Sequence, residues 1–192
     1  MPISETRDRL RPLLLPVKRS THWLARWRRK VRYLRDGIEC IAMELRSTID
    51  CAPVLREYGA AVGKDTTIYG PLHIMNAEND FSALSIGERV YIGTNVLIDL
   101  AERVTVGDDV SIGMGSHLIT SFDVGSGPLK ERRPRKSGPV VIEAGAYLGT
   151  GVTILHGVTV GAEATVGAHC LVRKHVAPGA TYVAQDAQLL ER

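Results

Sequence analysis

Phenylalanine and tryptophan are nearly absent, with two of each among 192 residues. That scarcity excludes a core of stacked large rings, so the 44% of residues that are hydrophobic must pack as Val, Ile, Leu and Ala. Cysteine is also rare. Cys40, Cys51 and Cys170 lack metal-ligand spacing, and their odd number leaves one unpaired in any disulfide scheme, which points to a reducing cytoplasm. No apolar run reaches the length of a signal-peptide core or a membrane span. The expected location is cytoplasmic, with a peripheral position at the inner face of the membrane open to the basic arm described next.

Acidic residues are missing from one stretch. Residues 7–35 hold eleven Lys or Arg and one acid, Asp8, a charge of +10; the rest of the chain carries thirteen bases and twenty acids, or −7. The formal net charge of +3 therefore hides a basic arm joined to an acidic body.

From Arg7 to about Tyr58 the pattern is helical. In "THWLARWRRKVRYLRDGIECIAMELRSTI", Trp23, Trp27, Val31 and Leu34 form one apolar stripe, with arginines around it. Gly37 ends or bends this helix, and Ile38, Ile41, Met43 and Leu45 suggest a second helical piece. Two readings compete for the stripe. It is a membrane-surface helix, with Trp at the interface and Arg toward anionic headgroups, or it packs against the body or a sister subunit. Nucleic acid is not an expected partner, because the charge comes with no recognisable binding motif.

After Gly59 the texture changes. Apolar residues recur every six positions: Val62, Ile68, Ile74, Ile86, Ile92, Ile98, then Val106, Ile112, Leu118, and again from Ile142 to Val172. A second row lies two residues earlier, and Gly follows at Gly63, Gly87, Gly93, Gly107, Gly113, Gly149, Gly161 and Gly167. Six is no helical period but is three times the strand period, so each hexad is a short strand followed by a corner. Glycine at a fixed offset suits corners that need left-handed backbone or close approach between neighbouring coils. Three strands per turn close a triangular prism filled by small aliphatic side chains. Residues 1–59 are then a basic helical arm and residues 60–188 the prism. A polar, basic excursion at 120–139, "TSFDVGSGPLKERRPRKSGP", interrupts it.

These hexads resemble the left-handed parallel β-helix of the hexapeptide-repeat acyltransferase superfamily. The stretch "GPVVIEAGAYLGTGVTILHGVTVGAEATVGAHCLVRKHVAPGATYVAQDA" is similar to the C-terminal signature of its O-acetyltransferase branch. The resemblance implies a homotrimer that uses acetyl-CoA or another acyl-CoA, with sites in clefts between adjacent prisms. It also implies a sugar or glycan hydroxyl as acceptor, in cell-envelope polysaccharide or glycolipid assembly. No metal is expected: the "LHG" at His156 echoes a zinc-bearing branch, but Gly151 stands where that branch has a second His.

Acyl transfer to an alcohol needs a general base and donors for the oxyanion. In the family the base is a His opening the projecting loop, and here the matching residue is Ser121 in "TSFD". A serine hydroxyl is no base near neutral pH, so the alternatives are Asp123, His117 four residues upstream of Ser121, or a lost or changed activity. The last makes the protein a non-catalytic trimeric scaffold or regulatory paralogue. For the cofactor, the resemblance implies Tyr147, Gly149, Thr150, Gly151 and Ala168 along the pantetheine arm, with Arg173 and Lys174 at the phosphates. For the acceptor, the candidates are Asn95, Asp99, Arg132 and Arg133, the two arginines suiting an anionic group.

Overall fold

A computed structural model of the chain describes residues 11–184. The sequence candidates at residues 7–10 and 185–187 lie outside this range, as do the side chains before residue 23. The chain divides into two compact units, Met1–Ile41 and Ala42–Arg192. The first contains helix α1 (Arg11–Asp36), which stops where Gly37 takes a positive φ of 72°. Helix α2 (Ile38–Leu45) straddles the boundary, and α3 (Ala52–Glu57) belongs to the second unit. No helix among the described residues is long and apolar enough to cross a membrane.

The second unit is a three-faced parallel β-helix, as the hexad period predicts. Face one stacks the strands Ala61–Val62, Leu84–Ile86, Val104–Val106, Val140–Ile142 and Thr159–Val160. Face two runs from Thr67–Ile68 through Tyr91–Ile92, Ser111–Ile112, Tyr147–Leu148 and Thr165–Val166 to Thr181–Tyr182. Face three stacks Leu72–Met75, Val96–Asp99, His117–Leu118, Thr153–Ile154 and Leu171–Val172. The register keeps apolar residue over apolar residue: Ile68 pairs with Ile92, Ile92 with Ile112, and Ile112 with Leu148. These four are fully buried, so the period of six is the condition for a continuous interior. Ser116 breaks the apolar row but is satisfied, its single hydroxyl proton shared between the Gly113 and Gly149 carbonyls at 2.8 and 3.2 Å.

The repeated glycines serve close approach rather than left-handed backbone. A Cβ on Gly107 would lie 2.6 Å from the Ala144 nitrogen, and one on Gly113 2.6 Å from the Gly149 carbonyl carbon. The left-handed corner positions fall two residues later and accept Asp65, Arg89, Asn95, Asp109, Glu163 and His169.

One open end of the prism is covered by α3. Leu55, Val54 and Tyr58 are buried, Arg56 donates to the Val62 and Gly63 carbonyls, and the Cys51 amide donates to the Ile68 carbonyl. Such a cap shields unpaired strand edges and the last apolar layer from water.

Candidate functional site

Three excursions, two long and one a short turn, leave the prism at one edge, where face three turns into face one. Residues 76–83 follow Leu72–Met75, residues 100–103 follow Val96–Asp99, and the long loop follows His117–Leu118. The loop is tied at its neck by an antiparallel ladder that pairs Ser121 with Ser137 and Phe122 with Lys136. Where the three excursions stack, a cleft of about 720 Å³ opens. Its carboxylates are Glu78, Asp80, Glu102 and Asp123; Arg103 and Arg135 supply positive charge, and Asn76, Asn79, Ser82 and Ser121 neutral polar groups.

Beneath the cleft lies Asp99, 3% exposed at the end of its strand. One carboxylate oxygen accepts from Asn76 Nδ2 at 2.7 Å and the Ala101 amide at 3.1 Å; the other accepts from Ser121 Oγ at 2.7 Å and the Thr120 amide at 3.1 Å. Burial alone would push this carboxyl up, but the donors from Asn76, Ser121, Ala101 and Thr120 outweigh it and hold Asp99 below the usual carboxylate range. A carboxylate offers about four lone-pair sites. All are taken, which leaves none for a ligand. Asp99 is therefore the internal anchor of the site. Thr120 extends the network, donating to the Asp99 carbonyl at 3.0 Å and accepting from the Glu102 amide at 3.1 Å. Glu102 in turn accepts from Ser137 Oγ at 2.7 Å, which fastens the far strand of the loop neck to the coil above.

Ser121 spends its one proton on Asp99, so toward the cleft it presents only lone pairs. Asp123 lines the same cleft, with one oxygen accepting from the Gly125 amide at 2.8 Å. His117 does not line it. It stands exposed on the outside of face three, in register with Leu97 and Thr153. Asn95 is a corner residue with φ 58°, also outside the cleft lining.

Of the loop arginines, only Arg135 reaches this cleft. Arg132 and Arg133 line a second cavity of about 590 Å³ together with Phe122, Pro134, Lys136 and His156, and no acid is among these residues. Tyr147 is exposed on the outside of face two, and Gly149, Thr150, Gly151 and Ala168 form the adjoining corner with face three. There Gly149 and Ala168 lie on successive coils, close enough that a Cβ on Gly149 would be 2.7 Å from the Ala168 nitrogen. Arg173 and Lys174 are exposed at the edge that carries the excursions, on a later coil. One chain thus sets Gly149, Thr150, Gly151 and Ala168 on one edge and the cleft on the neighbouring edge, with face three between them, while Arg173 and Lys174 share the edge of the cleft. Among the described residues no group of three His, Cys, Asp or Glu side chains is arranged to hold a metal ion.

The first excursion and its polar residues escape sequence reading. The step from Ile74 to Ile86 is a multiple of six, so residues 76–83 keep the hexad phase while leaving the prism. The available signal is Asp80, where the period calls for an apolar residue.

Comparison with known proteins agrees with this architecture. Residues 139–174 match the family described as bacterial transferase hexapeptide (six repeats), and residues 83–120 match the hexapeptide repeat of succinyl-transferase. A search of curated proteins gives no match. Among solved structures, a hexapeptide-repeat-containing acetyltransferase of Vibrio cholerae O1 biovar eltor, complexed with acetyl coenzyme A, is 25% identical over 84% of this chain and 88% of its own, with a TM-score of 0.66. A galactoside acetyltransferase in complex with coenzyme A is 22% identical over 81% of this chain and 77% of its own, with a TM-score of 0.66. A maltose O-acetyltransferase of Clostridium difficile 630 is 18% identical over 76% and 79%, with a TM-score of 0.60. The last two establish a shared fold. By its matched repeats and by the prism they build, this chain carries hexapeptide repeats and has the fold of the hexapeptide-repeat acetyltransferases.

Proposed function

We propose that the protein is a coenzyme A-dependent acyltransferase that moves an acetyl group, or another acyl group, from acyl-CoA to a hydroxyl of a sugar or glycan. The observation that carries this reading is the polar cleft at the excursion edge. Its carboxylates, amides and hydroxyls suit a polyhydroxylated acceptor. The donor is supported by the Vibrio cholerae relative, which was crystallised with acetyl coenzyme A.

Asp123 takes the proton of the acceptor hydroxyl as its oxygen attacks the thioester carbonyl. The new C–O bond forms, the C–S bond breaks, and the thiolate leaves with the electron pair. Ser121, anchored by Asp99, accepts a hydrogen bond from a neighbouring acceptor hydroxyl and fixes its orientation. Tyr147, Gly149, Thr150, Gly151 and Ala168 would seat the pantetheine arm, and Arg173 and Lys174 the phosphates. Because the pantetheine corner and the cleft occupy neighbouring edges of one prism, a homotrimer that abuts one edge on another completes the site.

A second reading is favoured by one observation: no imidazole lines the cleft, and the residue at the family's His position is tied to Asp99. In that reading the protein is a non-catalytic trimeric scaffold. The two separate cleanly. With acetyl-CoA present, the transferase melts at higher temperature, gaining about 1.4 kcal/mol for each tenfold excess over the dissociation constant. It also releases thiol when sugars are added, and Asp123→Asn slows that release about a hundredfold. A trimer that neither shifts with acetyl-CoA nor releases thiol is the scaffold.

A further inference from the structure

The geometry of α1 points to a function for the basic arm: we infer that it is an in-plane anchor that lays the protein on an anionic lipid surface. At about 100° per residue, Trp23, Leu34, Trp27, Val31 and Leu24 fall in that order across one arc about 100° wide. All five are exposed, at 67, 75, 56, 43 and 46% respectively. Large apolar side chains left in water along one helix face make up a surface that has an occupant.

Charge identifies the occupant. Lys30 lies about 20° beyond one margin of the arc and Arg35 about 20° beyond the other, with Arg28 next to Arg35. Long basic side chains at both margins of an apolar face reach up to phosphates while their stems stay with the acyl chains. Tryptophan prefers the same depth, between hydrocarbon and headgroup. The +10 charge of residues 7–35 is then attracted to the anionic surface.

A second copy of the chain fits less well. Leu24, Trp27, Val31 and Leu34 also follow the three-four-three spacing of a coiled-coil seam. The charged positions flanking that seam are Arg28, Lys30 and Arg35, of which only Arg35 has an adjacent acid, Asp36 at 2.7 Å. Helices paired through this seam would set positive charge against positive charge in either orientation, and that destabilises pairing. An anionic bilayer turns the same charges into attraction.

The chain carries its own reporter, because Trp23 and Trp27 are its two tryptophans. The intact protein is mixed with vesicles of phosphatidylcholine alone or with phosphatidylglycerol added, and its tryptophan emission and cosedimentation are followed. The anchor requires a blue shift and binding on the phosphatidylglycerol vesicles, little of either on phosphatidylcholine, and reversal by high salt. Lys30→Gln and Arg28→Gln each weaken partition about fivefold, and Leu34→Ser weakens it with the melting temperature of the body unchanged. Emission that stays red on anionic vesicles overturns the proposal. Emission already blue in buffer, shifting red as the protein is diluted, assigns the face to a second copy and overturns it as well. A shift with heparin and none with lipid does the same.

Discussion

Asp99 concentrates the site into one carboxylate. It joins the first excursion through Asn76, the second through Ala101 and the third through Thr120 and Ser121. Asp99→Asn keeps the shape but replaces an acceptor oxygen by a donor that faces donors, and is expected to cost about 1–3 kcal/mol near neutral pH. The sign with pH follows from the native carboxyl lying below its ordinary range. Its contribution is complete above the unfolded value of about 3.9 and fades as pH falls through the lower native value. Urea denaturation should therefore show the gap between Asp99→Asn and the parent narrowing below about pH 4. A gap that stays constant into acid would mean that the ionised form is not what stabilises the network. Glycine offers a second test at this scale. Gly107→Ala places a methyl 2.6 Å from the Ala144 nitrogen and should destabilise by about 1–3 kcal/mol in the same assay.

Among elements, strands and excursions differ in how much the sequence discloses. Hexads are legible because the prism strands from Ala61–Val62 to Leu171–Val172 share one inward aliphatic position, and eight of them are followed by a glycine. The loop at 120–139 announces itself by breaking that pattern, with prolines, serines and bases where Val and Ile should stand. The first excursion conceals itself in phase, and with it went Glu78, Asp80, Asn76 and half of the cleft. Ser121 and Asp123 could be singled out from the chain, whereas the closure of Asp99 by four donors depends on coils that meet only after folding. His117 lies outside the cleft lining. Four residues from Ser121, it belongs to a strand whose pleat turns it away from the excursions. The excursions are also separable from the scaffold. Replacing residues 124–134 by a short Gly-Ser linker should leave the melting temperature within a few degrees, since the loop is fastened to the coils at its neck, through Ser121 to Asp99 and Ser137 to Glu102, while acceptor use is lost. The cap behaves in the opposite way. Leu55→Ala opens a void above the first coil, and about 2–5 kcal/mol of stability should go with it in a denaturant titration.

At the scale of the molecule, charge and stacking act separately. The acidic body and the basic arm have opposite affinities for anionic surfaces, so the net charge of +3 predicts neither. The proposed homotrimer predicts a solution mass of three chains by light scattering. Trimer assembly and lipid partition are independent readouts, and loss of one through Leu34→Ser need not disturb the other.

The placement of every long excursion on a single edge has a further consequence. Coils touch only their neighbours, and the interior is sealed by residues that repeat regardless of what hangs outside. Insertions at that edge can grow, shrink or be exchanged without the prism having to be rebuilt. Substrate preference in such a molecule is a detachable fitting: transplanting residues 76–83 and 121–137 together onto a bare prism should carry the acceptor choice with them.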